Sequence, residues 1–290
     1  MKIRTLSQIL AEESESMFDF DDLIIEKNFL TKGKTWVISG ASGIGKSVLA
    51  MQLALLLALG EKTLGLDVFK PAKTLLLHNE NPIRDKRDYF RGIVSHFALD
   101  KKPNFGGLNE NLRFICKTGC YYSVDEFISK LETALSAGKY DVAIVDSLSS
   151  FVHCNFSDHA AVANLFCKIN ELKSRHNFAM VLIHHFDKPM FWSKRLHPAK
   201  WCMGGKAIGI YANIMSAVLG TKKESVFTFS HCEPFTNSEI SQTHIAHCKM
   251  RQHSLGGSRK CLKSPKVHNF LQPWKRCRRP TGSFTKANVP

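Results

Sequence analysis

Residues 40–47 are Gly40, Ala41, Ser42, Gly43, Ile44, Gly45, Lys46 and Ser47, an order of glycines, one lysine and one hydroxyl that suits the grip of a polyphosphate. Glycines let successive backbone N–H groups turn inward around an anion. A helix starting near Lys46 would aim the positive end of its dipole at the same point. Lys46 is then expected to reach the outer phosphates and the Ser47 hydroxyl to ligate magnesium, which makes ATP with Mg2+ the expected ligand. A metal-bound nucleotide also needs an acidic anchor, and Asp146, at the end of the apolar run DVAIVD, is the candidate. Asp141 opens the same run, so it should lie at the opposite edge of a sheet. Hydrolysis further requires a group that polarises water. Ser147, Leu148 and Ser149 follow Asp146, so no carboxylate stands beside it, and Glu80, just after TLLLHN, is the candidate base. His184 and His185 end the run AMVLIHH, where a polar side chain is placed to sense the γ-phosphate. Alternation along a strand lets only one of them face the site, and His184 is the preferred one.

These groups converge only if the elements carrying them end at one edge. Strand runs are expected at 35–39, 74–78, 112–116, 141–146 and 179–184, separated by helical stretches at 47–59, around Tyr89, Ile93 and Phe97, at 124–137 and at 160–175. Strands that are apolar on both faces and alternate with helices predict an α/β fold, a mostly parallel twisted sheet with helices on both faces. The runs 216–219 and 226–229, split by TKKES, predict an antiparallel hairpin on the sheet edge. This body is expected to span 31–235. Before it, 1–30 carries a short amphipathic stretch and the acidic FDFDDLI, read as a docking arm or a subunit contact. After it, 236–290 loses all periodicity and is expected to be a basic, disordered tail.

Composition narrows the class. The chain has 290 residues, 44% of them hydrophobic, with 40 Lys and Arg against 25 Asp and Glu, a formal charge of +15. That apolar fraction excludes disorder throughout. The longest apolar run, 48–59, is 12 positions broken by Gln52, too short to cross a bilayer. The start turns acidic where an export signal would continue apolar, and nine cysteines at irregular spacing fit free thiols, so a cytoplasmic, membrane-free protein is expected. The charge is uneven: 231–290 holds 11 basic and 2 acidic side chains, whereas 1–230 nets only +6. In that tail no cysteine pair has C-x-x-C spacing, which disfavours zinc; Lys275, Arg276, Arg278 and Arg279 suit non-specific polyanion attraction. The abrupt loss of acidic residues is also what a frameshifted stretch would produce.

FLTKGKTWVISGASGIGKS, HNE after the next strand, YDVAIVDSLSSF, and VLIHHFDK leading to GGKAIGIYANIMSAVLG together resemble the RecA-like P-loop ATPases, AAA family ATPases of the branch that holds the plasmid replicative helicases of RepA type. KaiC and the DnaB-type helicases are more distant relatives in the same resemblance. It implies Glu80 as the activator of water, Asp146 as the magnesium residue and His184 or His185 as sensor. It also implies a homo-oligomer, a six-membered ring in which a basic residue of the neighbour completes each ATP site. The family's Arg-Gly-Ser after the sensor appears here as Gly204-Gly205-Lys206-Ala207, so Lys206 takes the finger's place, a point charge without the guanidinium fork. Single-stranded DNA would be held by loops near 150–158 and 188–206. The second reads KPMFWSKRLHPAKW, cations interleaved with aromatic rings, which fits stacking on bases and equally fits a lid packed on a neighbouring subunit. The function implied is Mg-dependent ATP hydrolysis by a ring-forming replicative DNA helicase. The alternative is a KaiC-like nucleotide-dependent regulatory or assembly ATPase that does not translocate.

Overall fold

The computed structural model describes residues 5–7, 21–26, 29–79, 83–116, 119, 121–186, 202–220, 226–232 and 241–246. Two short antiparallel strands, β1 (Leu23–Ile25) and β2 (Leu30–Thr31), come first. Then β3 (Thr35–Gly40) leads through the glycine loop into α1 (Lys46–Leu59). β4 (Thr74–His78), α2 (Ile83–Phe97), α3 (Leu108–Asn111) and β5 (Leu112–Cys116) follow. Next are α4 (Val124–Ser136), β6 (Val142–Asp146), α5 (Leu148–Phe151), α6 (His159–His176) and β7 (Ala179–His185). After α7 (Gly205–Tyr211) the described chain ends on β8 (Ile214–Gly220), β9 (Val226–Cys232) and β10 (Ser241–Ala246).

Eight strands form one sheet in the order β10-β9-β8-β3-β7-β6-β4-β5. The six from β8 to β5 run parallel, and β9 and β10 are antiparallel additions. The central strands are apolar on both faces because both are covered. Trp36 and Ile38 pack into one core with α1, while Val37 between them packs into the other with α4 and α6. Burial around nearly the whole circumference of α1 follows from its place, with the sheet beneath it and α2 and α3 contacting its other sides. α4 and α6 start where side chains cap them. Ser123 and Glu126 form a reciprocal capping box, and Asp158 accepts from Ala160 N–H at 2.9 Å.

The expected hairpin is β8–β9, with β8 lying parallel to β3. The sheet continues past residue 235: β10 pairs with β9 from Ser241↔His231 to Ala246↔Val226. Its residues SQTHIA show little apolar alternation, and an edge strand held by backbone pairing needs none. Residues 247–290 lie outside the described residues. At the other end, part of the expected arm joins the body. Ile24, Ile25 and Leu30 are buried in the α1-side core, Asp21 pairs with Lys70 at 2.8 Å, and Asp22 accepts from Asn177 Nδ2 at 3.0 Å. The acidic cluster thus contributes contacts within its own chain; residues 8–20 are outside the described set.

Candidate active site

Parallel register brings the ends of β3, β7, β6 and β4 to one edge. Gly40 stands opposite His185, Ser39 opposite His184, and His78 opposite Asp146. Strand β7 lies between the strand entering the phosphate loop and the strand ending on the aspartate, so its terminal histidines sit between the two halves of the site. Open parallel sheets place ligands at this kind of edge.

The loop itself is built for close backbone approach. Gly43 and Gly45 take φ of +74° and +96°, conformations that side chains resist. At Gly40 an added Cβ would lie 3.0 Å from the Val218 carbonyl oxygen and 3.2 Å from Lys46 Cδ, so any side chain there would press on the cradle and on Lys46. No side chain caps α1 and no acidic residue lies in its first turn, unlike α4 with Asp125 and Glu126. Its positive dipole end is therefore uncompensated, as anion binding requires. Lys46 is buried, and its Nζ donates to the carbonyls of Gly40 at 3.0 Å and Ala41 at 2.7 Å, which folds it over the loop that a phosphate would enter.

Ser47 Oγ donates to Asp146 Oδ1 at 3.2 Å across 99 residues of sequence. A hydroxyl and a carboxylate side by side are hard oxygen donors of the kind Mg2+ takes alongside nucleotide phosphates. With the glycine cradle, they fit ATP and Mg2+. Asp146 is almost fully buried, and its Oδ2 accepts from His78 Nδ1 at 2.5 Å. That histidine was missed by sequence reasoning. His78 ends its strand as Asp146 ends another, and only the register of the sheet sets the two side by side. Asn79 was missed too. Its N–H donates to the Asp146 carbonyl at 3.2 Å and its Nδ2 to the Ser150 carbonyl at 2.6 Å, which ties the exit of β4 to the turn after β6. Glu80 is the next residue and lies outside the described residues.

The two histidines separate as alternation demands, but His184 is turned the other way from the expected one. His184 is fully buried; its Nε2 donates to the Met203 carbonyl at 3.2 Å and its ring lies 4.6 Å from that of Phe156. Burial, reinforced by His185 beside it, pushes its pKa down to about 3, so the ring is neutral. His185 is half-buried, stands opposite Gly40, and its Nε2 lies 3.3 Å from Ser147 Oγ, next to Asp146. On this geometry His185 faces the site and His184 fills the core. Sequence could tell that the two diverge, not which face of β7 each would meet.

Lys206 does not join this cluster in its own chain. It is exposed in the first turn of α7, while Gly205 and Ala207 on either side are buried. Gly204 before it, at φ +63°, passes so close to the loop after α5 that an added Cβ would lie 2.2 Å from the Phe156 carbonyl oxygen. Of the two expected DNA loops, 150–158 carries no Lys or Arg, and its Asp158 is used as the cap of α6. The other lies mostly outside the described residues, but its neck is closed: Phe186 bridges Cys202, and Met203 N–H donates to the His185 carbonyl at 2.9 Å. Among the described residues no helix is long and apolar enough to cross a membrane.

Comparison with known proteins agrees with this geometry. No curated protein sequence matches the chain. Among solved structures, the ATPase domain of G40P superposes with a TM-score of 0.57 at 10% identity, covering 84% of this chain and 96% of that one, a likeness that shows the α/β P-loop fold. A family model described as AAA domain matches residues 6–190, more than half of the chain. With the phosphate loop, the Ser47–Asp146 pair and five of the six parallel strands inside that span, the chain belongs to the AAA domain family of nucleotide-dependent ATPases.

Proposed function

We propose that this ATPase works as one subunit of a ring of identical copies, probing single-stranded DNA through its channel, and that it is a replicative helicase of RepA type. The observation that carries the ATP chemistry is the Ser47–Asp146 contact at the mouth of the glycine cradle, which joins the phosphate loop to the acidic strand end. Lys46 and the α1 N-terminus would neutralise the outer phosphates, and Ser47 and Asp146 would hold Mg2+, which would supply charge stabilisation. His78 holds the Asp146 carboxylate from behind. Glu80, the residue that follows Asn79 in sequence, is proposed as the base for the attacking water. His185, between Gly40 and Ser147, is the sensor. Lys206 is proposed to reach the neighbouring copy's site, supported by its exposure between two buried residues. The segment 187–201, whose two ends meet at the Phe186–Cys202 bridge, supplies the cations and aromatic rings proposed to bind single-stranded DNA.

The test is ATP turnover on the full chain with and without single-stranded DNA, together with strand displacement on a forked duplex. Stimulation that falls steeply with salt, with displacement, is the expected result. Turnover indifferent to DNA would favour the second reading, a KaiC-like switch without translocation. The observation on that side is Lys206 in place of an arginine fork, which weakens coupling between neighbours.

A further inference from the structure

Away from the phosphate loop, α2, the connection 98–105, α3, β5 and one residue of α1 line an open cavity of about 760 Å3. That lies in the usual range for small-molecule sites. Its walls are apolar, with Leu55, Val94, Leu108 and Leu112 among them, and the edge-to-face pair Phe90 and Phe114, rings 4.9 Å apart, belongs to its lining. Phe114 is 44% exposed, so the apolar lining is open to an incoming ligand. Lys86 also lines the cavity. It is only 3% exposed, and its Nζ has no hydrogen-bond partner among the described residues. Arg87, Arg91 and Lys101 stand around the same space, against Asp100 as the one carboxylate among the lining residues.

A cationic amine buried in an apolar wall without a partner is unfavourable, and the deficit is removed when an anion arrives. Apolar walls meanwhile gain from an apolar body. The geometry points to a binding site for an amphipathic organic anion, an acyl or aryl body carrying one carboxylate or similar acidic head, with Lys86 on the head and Phe90, Leu108 and Phe114 on the body. A bare phosphate would leave the walls dry and unfilled, and a neutral lipid alcohol would leave Lys86 unpartnered. The site also has a route to the nucleotide end of the molecule. Leu55 belongs to the helix that follows the phosphate loop, and α2 begins three residues beyond Glu80. An occupant wedged between these helices would alter turnover without touching ATP. Binding itself does not depend on the helicase reading.

The test uses the full chain and the fluorescent aryl sulfonate 1-anilinonaphthalene-8-sulfonate as probe, repeated with Lys46→Ala so that the phosphate loop does not contribute. One probe per chain is expected, displaced by decanoate and at least tenfold less well by decanol. Lys86→Met should keep the fold, since it replaces an unpartnered buried cation by an apolar side chain of similar length, and should weaken probe and decanoate binding about tenfold. Phe114→Ala, at an exposed position, should weaken both as well. Equal competition by decanol, or unchanged binding by Lys86→Met, would overturn the proposal. So would a fall in ATP turnover in Lys86→Met with probe affinity intact, which would assign that lysine to the catalytic edge. Displacement by a peptide of residues 8–20 at lower concentration than decanoate would likewise overturn it, in favour of the chain's own acidic segment as occupant.

Discussion

At each end of its parallel strands the molecule buries a lysine and places an aspartate, and the two sets are wired differently. At the N-terminal edge Lys173 donates to the Gly33 carbonyl at 2.8 Å and to Thr35 Oγ1 at 2.7 Å, while Asp141 accepts from Lys73 N–H and pairs with Lys32, both at 2.8 Å. These groups serve one another and the backbone turns around them. At the C-terminal edge Lys46 lies over a glycine cradle, the helix behind it has no side-chain cap, and Asp146 shares its oxygens between a hydroxyl and a histidine. The residue types are alike. What separates structure from chemistry is whether the donors enclose a space that an anion can enter, or are spent on the fold.

The contrast predicts opposite outcomes for matched substitutions. Lys46→Ala should abolish nucleotide binding or turnover, a loss on the order of 100-fold or more, with little change in Tm; Lys173→Met should leave turnover within about twofold. Retained turnover in the first, measured by phosphate release, would break the comparison. Glu80→Gln should leave ATP bound and lower turnover by on the order of 100-fold, and a single-turnover assay separates the two steps. Asp146→Asn should raise the Mg2+ concentration needed for half-maximal turnover, whereas Asp141→Asn should leave that requirement alone and cost about 1 kcal/mol in denaturant unfolding. Of the histidines, His185→Ala should reduce turnover about tenfold or more at unchanged ATP affinity. His184→Phe should act on stability, and it sharpens which face of β7 is chemical. The ring of His184 titrates at about 3 in the fold against 6.5 in the unfolded chain. The unfolded chain therefore binds the extra proton between those values, stability falls as pH drops through that window, and the Phe variant should lose that part of the acid sensitivity.

The smallest expected effect concerns Lys173, whose pKa burial lowers from 10.5 to about 8. Between these values the unfolded chain holds more protons, so this residue costs stability below pH 8 and the cost is relieved as pH rises towards 10.5. The difference in unfolding free energy between the wild type and Lys173→Met should shift across that window. A difference that stays flat would mean that the amine is not desolvated.

Much of the frame was readable from local pattern. Strands Thr74–His78 and Leu112–Cys116 are bounded as the apolar runs predict, and the helix after the glycine loop starts one residue earlier than expected. Glycine spacing and strand-ending Asp146 are also local signals, so the core of the site could be read. What could not be read depends on approach between distant segments. His78 meets Asp146 across 68 residues, and Gly204 meets Phe156 only because α7 packs on the loop after α5. The choice between His184 and His185 turned on which layer covers each face of β7, a fact that no window of sequence contains. Asp141, expected at the far edge, is found there, because a strand of five or six residues separates its ends whatever else surrounds it.

The contact between Gly204 and the Phe156 carbonyl oxygen has a mechanical consequence. Where no side chain can be interposed, two segments have no slack between them, so a displacement of one is delivered to the other without backlash. The stretch at 152–158 and the start of α7, with Lys206 in its first turn, are therefore geared together. Adding even one methyl at residue 204 would force the gear apart, uncoupling the two while leaving the nucleotide cradle intact.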